Sequence, residues 1–221
     1  MKKEEKKGQV YILRRLNMKA DYKNWIPKGM LITMVVISAL LLLFSIGFSF
    51  LLDGILGIAL TKITFAAFLI FGAISIKLFR MHRAFSYDGK RKLSKRIIEG
   101  TASYVILPKG GVGLDVECGS GALTIACAKR NPQGKMTGLD RWGKEYASFS
   151  NLLCVQNAKA EGINSIVFQK GDANKLPFAD KSFDAVVSNY VYHNIPRKNK
   201  QELLLETLRV LKKAAPLRFM I

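Results

Sequence analysis

The sequence predicts an α/β protein: a doubly wound parallel sheet with helices on both faces, preceded by a two-helix transmembrane hairpin. Two observations predict the sheet. From Gly111 onward, short apolar runs alternate with segments of helical spacing. The first of these junctions carries a glycine-rich turn, "GLDVECGSG" (Gly113–Gly121). One observation predicts the hairpin: two long apolar stretches lie upstream, separated by Asp53-Gly54.

The first stretch, Gly29–Leu52, runs 24 residues without a charge. As a helix it is about 36 Å long, enough for a hydrocarbon core of about 30 Å. It starts too late and runs too long for a cleaved leader. The second, Ile55–Phe79, is interrupted by Lys62 and carries Lys77 near its end. Either the helix starts near Ile55 and Lys62 snorkels to the interface, or Asp53–Lys62 is an outer loop and the span is Ile63–Phe79.

The net charge of +19 raises nucleic acid as a partner. Its distribution argues against that. Residues 1–28 hold nine Lys/Arg against three acids, and residues 80–110 eight against two. Both basic runs flank the apolar block, the pattern of cytoplasmic flanks facing anionic lipid. The expected partner is therefore the lipid bilayer. Both termini and the α/β domain are expected on the cytoplasmic side of the cell membrane. The three cysteines (Cys118, Cys127, Cys154) lack metal-ligand spacing, and the only histidines are His82 and His193, so no metal site is expected. His82, in the basic linker "RMHRAFSYDGKRKLSKRIIEG" (Arg80–Gly100), reads as a surface residue.

In the second half, "VGLDV" (Val112–Val116) reads as a buried strand and "ALTIACAKR" (Ala122–Arg130) as a helix ended by Asn131-Pro132. "KMTGLD" (Lys135–Asp140) is a second strand, and Lys144–Gly162 a helix with a glycine stop. "SIVFQK" (Ser165–Lys170) and "SFDAVVSNY" (Ser182–Tyr190) are the third and fourth strands, and Asn199–Lys213 a helix. Ligands of such sheets bind at the carboxyl ends of the strands. At the first of these ends, Asp115, Gly119, Ser120 and Gly121 mark a turn that lets a ligand approach the backbone, with helix N–H groups favouring an anion. The dinucleotide spacing G-x-G-x-x-G is not met, because from Gly119 the chain reads G-S-G-A-L-T. This disfavours a nicotinamide enzyme.

"LDVECGSGALTIACAKRNP", "GLD" ending at Asp140, and "GDANKLPFADKSFDAVVSN" occur in an order and spacing that resemble the class I S-adenosylmethionine-dependent methyltransferases. The resemblance covers about Gly111–Lys213 and implies a Rossmann-like sheet, methyl transfer, and S-adenosyl-L-methionine as cofactor. By that resemblance Gly119 and Gly121 approach the methionine part, with Ser120 between them, and Asp115 sits just below. Asp140 accepts the ribose hydroxyls, Trp142 covers the adenine, Asp172 takes the adenine amino group beside Ala173 N–H, and Asn189 lies at the methyl-donating end. Each has a plainer alternative: Asp140 as a cap, Trp142 as packing, Asp172 as a turn residue. Past the fourth strand, "SNYVYHNI" places Tyr190, Tyr192 and His193 toward the expected substrate, and His193 is the candidate base. The segment lacks the Asn-Pro-Pro-aromatic pattern of amino-methylating DNA enzymes, so a small-molecule acceptor is expected.

Two departures stand out. Glu117 occupies the family's first turn glycine, where its carboxylate would face the cofactor's own. Like charges about 4 Å apart repel by at most roughly 4 kcal/mol at an effective dielectric of about 20. The chain also ends eight residues after Lys213, with "AAPLRFMI" in place of a Gly-Gly lead and a fifth strand. That tail is compatible with a single-base deletion, and the expectation is a sheet lacking its C-terminal strands, with an exposed edge and marginal stability. The domains expected are therefore a basic N-terminal segment (1–28), the hairpin (29–79), a basic juxtamembrane linker and helix (80–110), and a truncated cofactor-binding domain (111–221). A non-catalytic remnant acting only as a membrane protein is the competing reading.

Overall fold

The structure is a computed structural model that describes residues 19–143, 148–190, 200–212 and 217–220. The chain divides into two units, Asn24–Lys95 and a second made of Met1–Lys23 with Arg96–Ile221.

The first unit is a helical hairpin. Helix α1 is Lys28–Leu51 and helix α2 is Gly54–Phe85. Helix α2 is continuous through Lys62, so Gly54–Lys62 is helical and not a loop. It also runs six residues beyond Phe79, because Arg80–Phe85 contains neither Gly nor Pro to end it; the expected linker is helical there. Gly57 lets the chain fold back tightly: a Cβ there would lie 2.2 Å from the Leu52 carbonyl oxygen. The seam is polar at two points, where Ser38 Oγ donates to Phe68 O (3.4 Å) and Ser45 Oγ to Thr61 O (3.1 Å). Such bonds hold helices together where no water competes. Leu43, Phe44, Ile63 and Ile70 face outward. Both helices are long and apolar enough to cross a membrane.

Helix α3 (Leu93–Ser103) leads from the first unit into the second, which continues with strand β1 (Val112–Val116), helix α4 (Ala122–Arg130) and strand β2 (Lys135–Asp140). Helix α5 (Asn151–Ala160), strands β3 (Ile166–Lys170) and β4 (Ala185–Asn189), helix α6 (Lys200–Val210) and strand β5 (Leu217–Met220) follow. The sheet is parallel in the order β3-β2-β1-β4-β5. The strand order reverses between β1 and β4, the switch point where such sheets open a crevice. Leu114, Val116, Leu139, Val186, Leu203 and Val210 form the core. Helix α4 is buried from Ala122 through Ala128, which explains why "ALTIACA" carries no charge.

The sheet is incomplete, as expected: no sixth or seventh strand occurs among the described residues. Two details are corrected here. The tail does supply a fifth strand: Leu217–Met220 pairs with β4 from Val186↔Leu217 to Asn189↔Met220. Four residues suffice because an open β4 edge offers a ready row of backbone partners, so no Gly-Gly lead is needed. Helix α5 begins at Asn151, later than the spacing suggested. Ser150 caps it, its side chain accepting the Leu153 N–H at 3.1 Å.

Residues 19–23 belong to this unit. Asp21 N–H donates to Asn157 Oδ1 (2.8 Å), and the Tyr22 hydroxyl donates to Glu161 (3.0 Å).

Candidate functional site

The turn after β1 has a three-beat backbone. Glu117, Gly119 and Gly121 all take positive φ, at 59°, 57° and 78°. Each beat is a conformation that glycine adopts freely and a side chain resists. Glu117 is therefore the one strained residue of the three. At Gly121 there is also no room, since a Cβ would meet the Phe168 ring at 2.9 Å. Gly121 begins α4 without a side-chain cap, leaving the helix's first N–H groups to a ligand.

The turn is stitched to the end of β2. Cys118 N–H donates to Leu139 O (3.0 Å), and Gly119 N–H donates to Asp140 Oδ2 (2.8 Å). Asp140 Oδ1 accepts the Trp142 N–H at 2.6 Å, and the Trp142 indole N–H donates back to Gly119 O at 3.0 Å. Asp140 is buried. It caps the turn and presents its carboxylate there at once. Trp142 flanks the turn with its ring held by that bond.

Asp115 lies beneath. It is buried and accepts the Thr124 hydroxyl at 2.6 Å, bracing β1 against α4. Burial pushes its carboxyl up to about 7, against the opposing effect of the Thr124 bond. The Ser120 carbonyl accepts the Asn157 side-chain N–H at 3.0 Å. Asn157 is a residue the sequence reading missed. The available signal was a polar residue on the α5 stripe that holds Cys154 and Ala158, all three of them buried.

At the third strand's end, Asp172 is exposed and its Oδ1 accepts the backbone and side-chain N–H groups of Asn174, both at 2.8 Å. Ala173 is buried beside it. At the fourth, Ser188 Oγ donates to Val116 O (3.0 Å), tying β4 to the start of the turn. Asn189 follows with a buried side-chain oxygen that has no hydrogen-bond partner among the described residues. Tyr190 is held at φ 55°. Tyr192 and His193 lie outside the described residues.

Glu117 is half-buried. Burial and then the Asp140 charge push its carboxyl up to about 7, with Asp172 adding to the rise and the Ala173 N–H and Arg141 opposing it. Its charge therefore sits among the ends of β2 and β3, the rim that the resemblance gives to the ribose and adenine. The chain thus brings Asp115, Glu117, Gly119, Ser120, Gly121, Asp140 and Trp142 together around one turn.

A family model described as a methyltransferase domain matches residues 114–214, the segment that builds this turn and sheet. The α/β unit belongs to the class I S-adenosylmethionine-dependent methyltransferases. Among curated relatives, the methyltransferase unit is similar to the demethylmenaquinone methyltransferases of Staphylococcus aureus strains JH9 and Newman. Each is 34% identical over 129 residues, covering 58% of this chain and 48% of the relative. The chain thus spans about half the length of the curated relatives it matches. Among solved structures it is similar to YcgJ of Bacillus subtilis (24% identity, TM-score 0.47, 57% of this chain and 50% of that one). It is also similar to a methyltransferase of Aquifex aeolicus (23% identity, TM-score 0.45, 55% and 62%). S-adenosylmethionine is the cofactor of the methyltransferase family. The residues present fit it: two glycines with positive φ, an uncapped helix start, a carboxylate at the end of β2, and an orphan acceptor on Asn189.

Proposed function

We propose that this chain transfers a methyl group from S-adenosylmethionine to a small-molecule acceptor, from a cytoplasmic domain tethered to the membrane by the hairpin. The observation that carries the reading is the Asp140–Gly119 bond, which makes the glycine turn and the β2 carboxylate one preformed half-site. The cofactor supplies an electrophilic methyl on a sulfonium. The chain's own task is alignment and charge balance. Gly119, Ser120 and Gly121 admit the methionine part, with Asp115 bracing the turn from below. Asp140 accepts ribose hydroxyls with its remaining lone pairs. Asp172 and Ala173 N–H take the adenine edge, and Trp142 borders it. Asn189 lies where the methyl is donated, and His193 takes the acceptor's proton where one is lost.

The acceptor we infer is lipid-soluble, of the demethylmenaquinone kind. Two features support this: the name of the Staphylococcus aureus relatives and the two apolar helices. Full-length chain supplied with methyl-labelled S-adenosylmethionine and a bacterial membrane extract should move label into the lipid-soluble fraction. Label confined to water-soluble or macromolecular products would contradict the acceptor class. Glu117 supports a second reading, a copy with impaired binding, since a strained carboxylate stands in the turn. No binding of S-adenosylmethionine by a well-folded chain, restored in Glu117→Gly, would favour that one.

A further inference from the structure

The hairpin unit ends in a folded collar. Asn24 Nδ2 donates to His82 O (2.8 Å), and His82 Nδ1 donates to Ile26 O (2.8 Å). Trp25 packs on Phe85 with ring centroids 5.5 Å apart. These contacts clamp the segment entering α1 onto the last turn of α2. His82, expected to be an idle surface residue, is one of the clasps.

The clamp gathers basic side chains from three stretches. Lys28 opens α1. Lys77, Arg80 and Arg83 recur every three residues near the end of α2, and all three are exposed. Lys90, Arg91 and Lys92 follow in the turn before α3, also exposed. The acids within residues 24–95 are Asp53, at the opposite end of the hairpin, and Asp88. Aromatic rings share the basic end: Arg83 lies over Phe79 (5.8 Å) and Lys95 over Tyr87 (5.7 Å). Aromatic rings beside cationic groups at the end of apolar helices match the chemistry of the headgroup layer.

We propose that this collar is a binding surface for anionic phospholipid headgroups, selecting phosphatidylglycerol-type lipids over zwitterionic ones. The inference rests on the membrane reading above and names the lipid that the anchor prefers. Phosphate oxygens at the headgroup depth meet the Lys77–Arg83 stripe, and the Lys90–Lys92 turn covers them from the water side. The basic end carries Lys28, Lys77, Arg80, Arg83, Lys90, Arg91, Lys92 and Lys95 against Asp88. Nucleic acid is the poorer match, because the charges crowd the end of an apolar hairpin and no free basic face is needed to explain them.

Trp25 reports on the test. The chain has two tryptophans, so Trp142→Phe leaves Trp25 as the single donor. This full-length variant, reconstituted in vesicles, is titrated with pyrene-labelled phosphatidylglycerol or phosphatidylcholine. Energy transfer should favour phosphatidylglycerol by about fivefold, and the preference should fall toward one in K90Q/R91Q/K92Q or at roughly 0.5 M salt. Equal transfer from both lipids, with the protein retained in the bilayer, would overturn the lipid preference and leave the anchor standing. Failure to enter vesicles would sink the anchor, and the collar's role with it. An oligonucleotide that abolishes the preference at lower concentration than competing lipid would reassign the surface.

Discussion

The carboxylate of Asp140 accepts the backbone N–H of Gly119 at 2.8 Å, joining the end of β2 to the turn after β1. The same carboxylate holds Trp142 N–H, and Trp142 returns a bond to Gly119. The closed ring Asp140–Gly119–Trp142 holds the proposed cofactor half-site in place before any ligand arrives.

Asp140→Ala removes both acceptors and strands two N–H groups. It is expected to cost about 2–4 kcal/mol in urea unfolding of the α/β unit and to abolish cofactor binding. Asp140→Asn keeps acceptor oxygen and should lose less stability. Equal losses in the two variants would show that the bonds do not hold the turn.

Glu117→Gly relieves a side chain from φ 59°. The expected gain is about 1 kcal/mol in stability, with tighter binding of S-adenosylmethionine. Glu117→Ala removes the charge and keeps the strain, so it should recover binding without the full gain in stability. Thermal melts and calorimetric titrations of both variants separate the two effects.

Folding raises the carboxyl of Glu117 from its ordinary 4.5, and that of Asp115 from 3.8, to about 7. Each therefore holds its proton more tightly when folded. Their contribution favours folding below the ordinary values and is lost as pH rises toward and through about 7. Melting temperature should fall across that window, and Glu117→Gln should flatten part of the slope. A wild-type profile rising with pH across the window would contradict these environments.

Asn157 holds Ser120 O and Asp21 O with its N–H groups, both at 3.0 Å, and accepts Asp21 N–H at 2.8 Å. Asn157→Ala should destabilise the unit by about 2–3 kcal/mol and expose the Asp21 segment to protease. Unchanged cleavage there would place the anchoring elsewhere, for instance in Tyr22 and Glu161.

Much of this molecule was legible because its signals are local. The strand-turn-helix at Asp115–Ala122 and the two long apolar helices need only periodicity, hydropathy and glycine. The continuity of α2 through Lys62 was open, because a helix tolerates one lysine that a hydropathy reading penalises. The fifth strand was missed because Leu217–Met220 is short and its partner, β4, lies about thirty positions upstream. Asn157 was missed for the same reason: its partners Asp21 and Ser120 are 136 and 37 positions away. Glu117 was visible as an odd letter, but its neighbours Asp140, Asp172 and Ala173 came only from the fold.

The most direct test is calorimetric titration of S-adenosylmethionine into the full-length chain in non-ionic detergent, beside Glu117→Gly and Asp140→Ala. Saturable binding to the wild type is expected, with tighter binding to Glu117→Gly and none to Asp140→Ala. Absence of binding to both the wild type and a well-folded Glu117→Gly would contradict it.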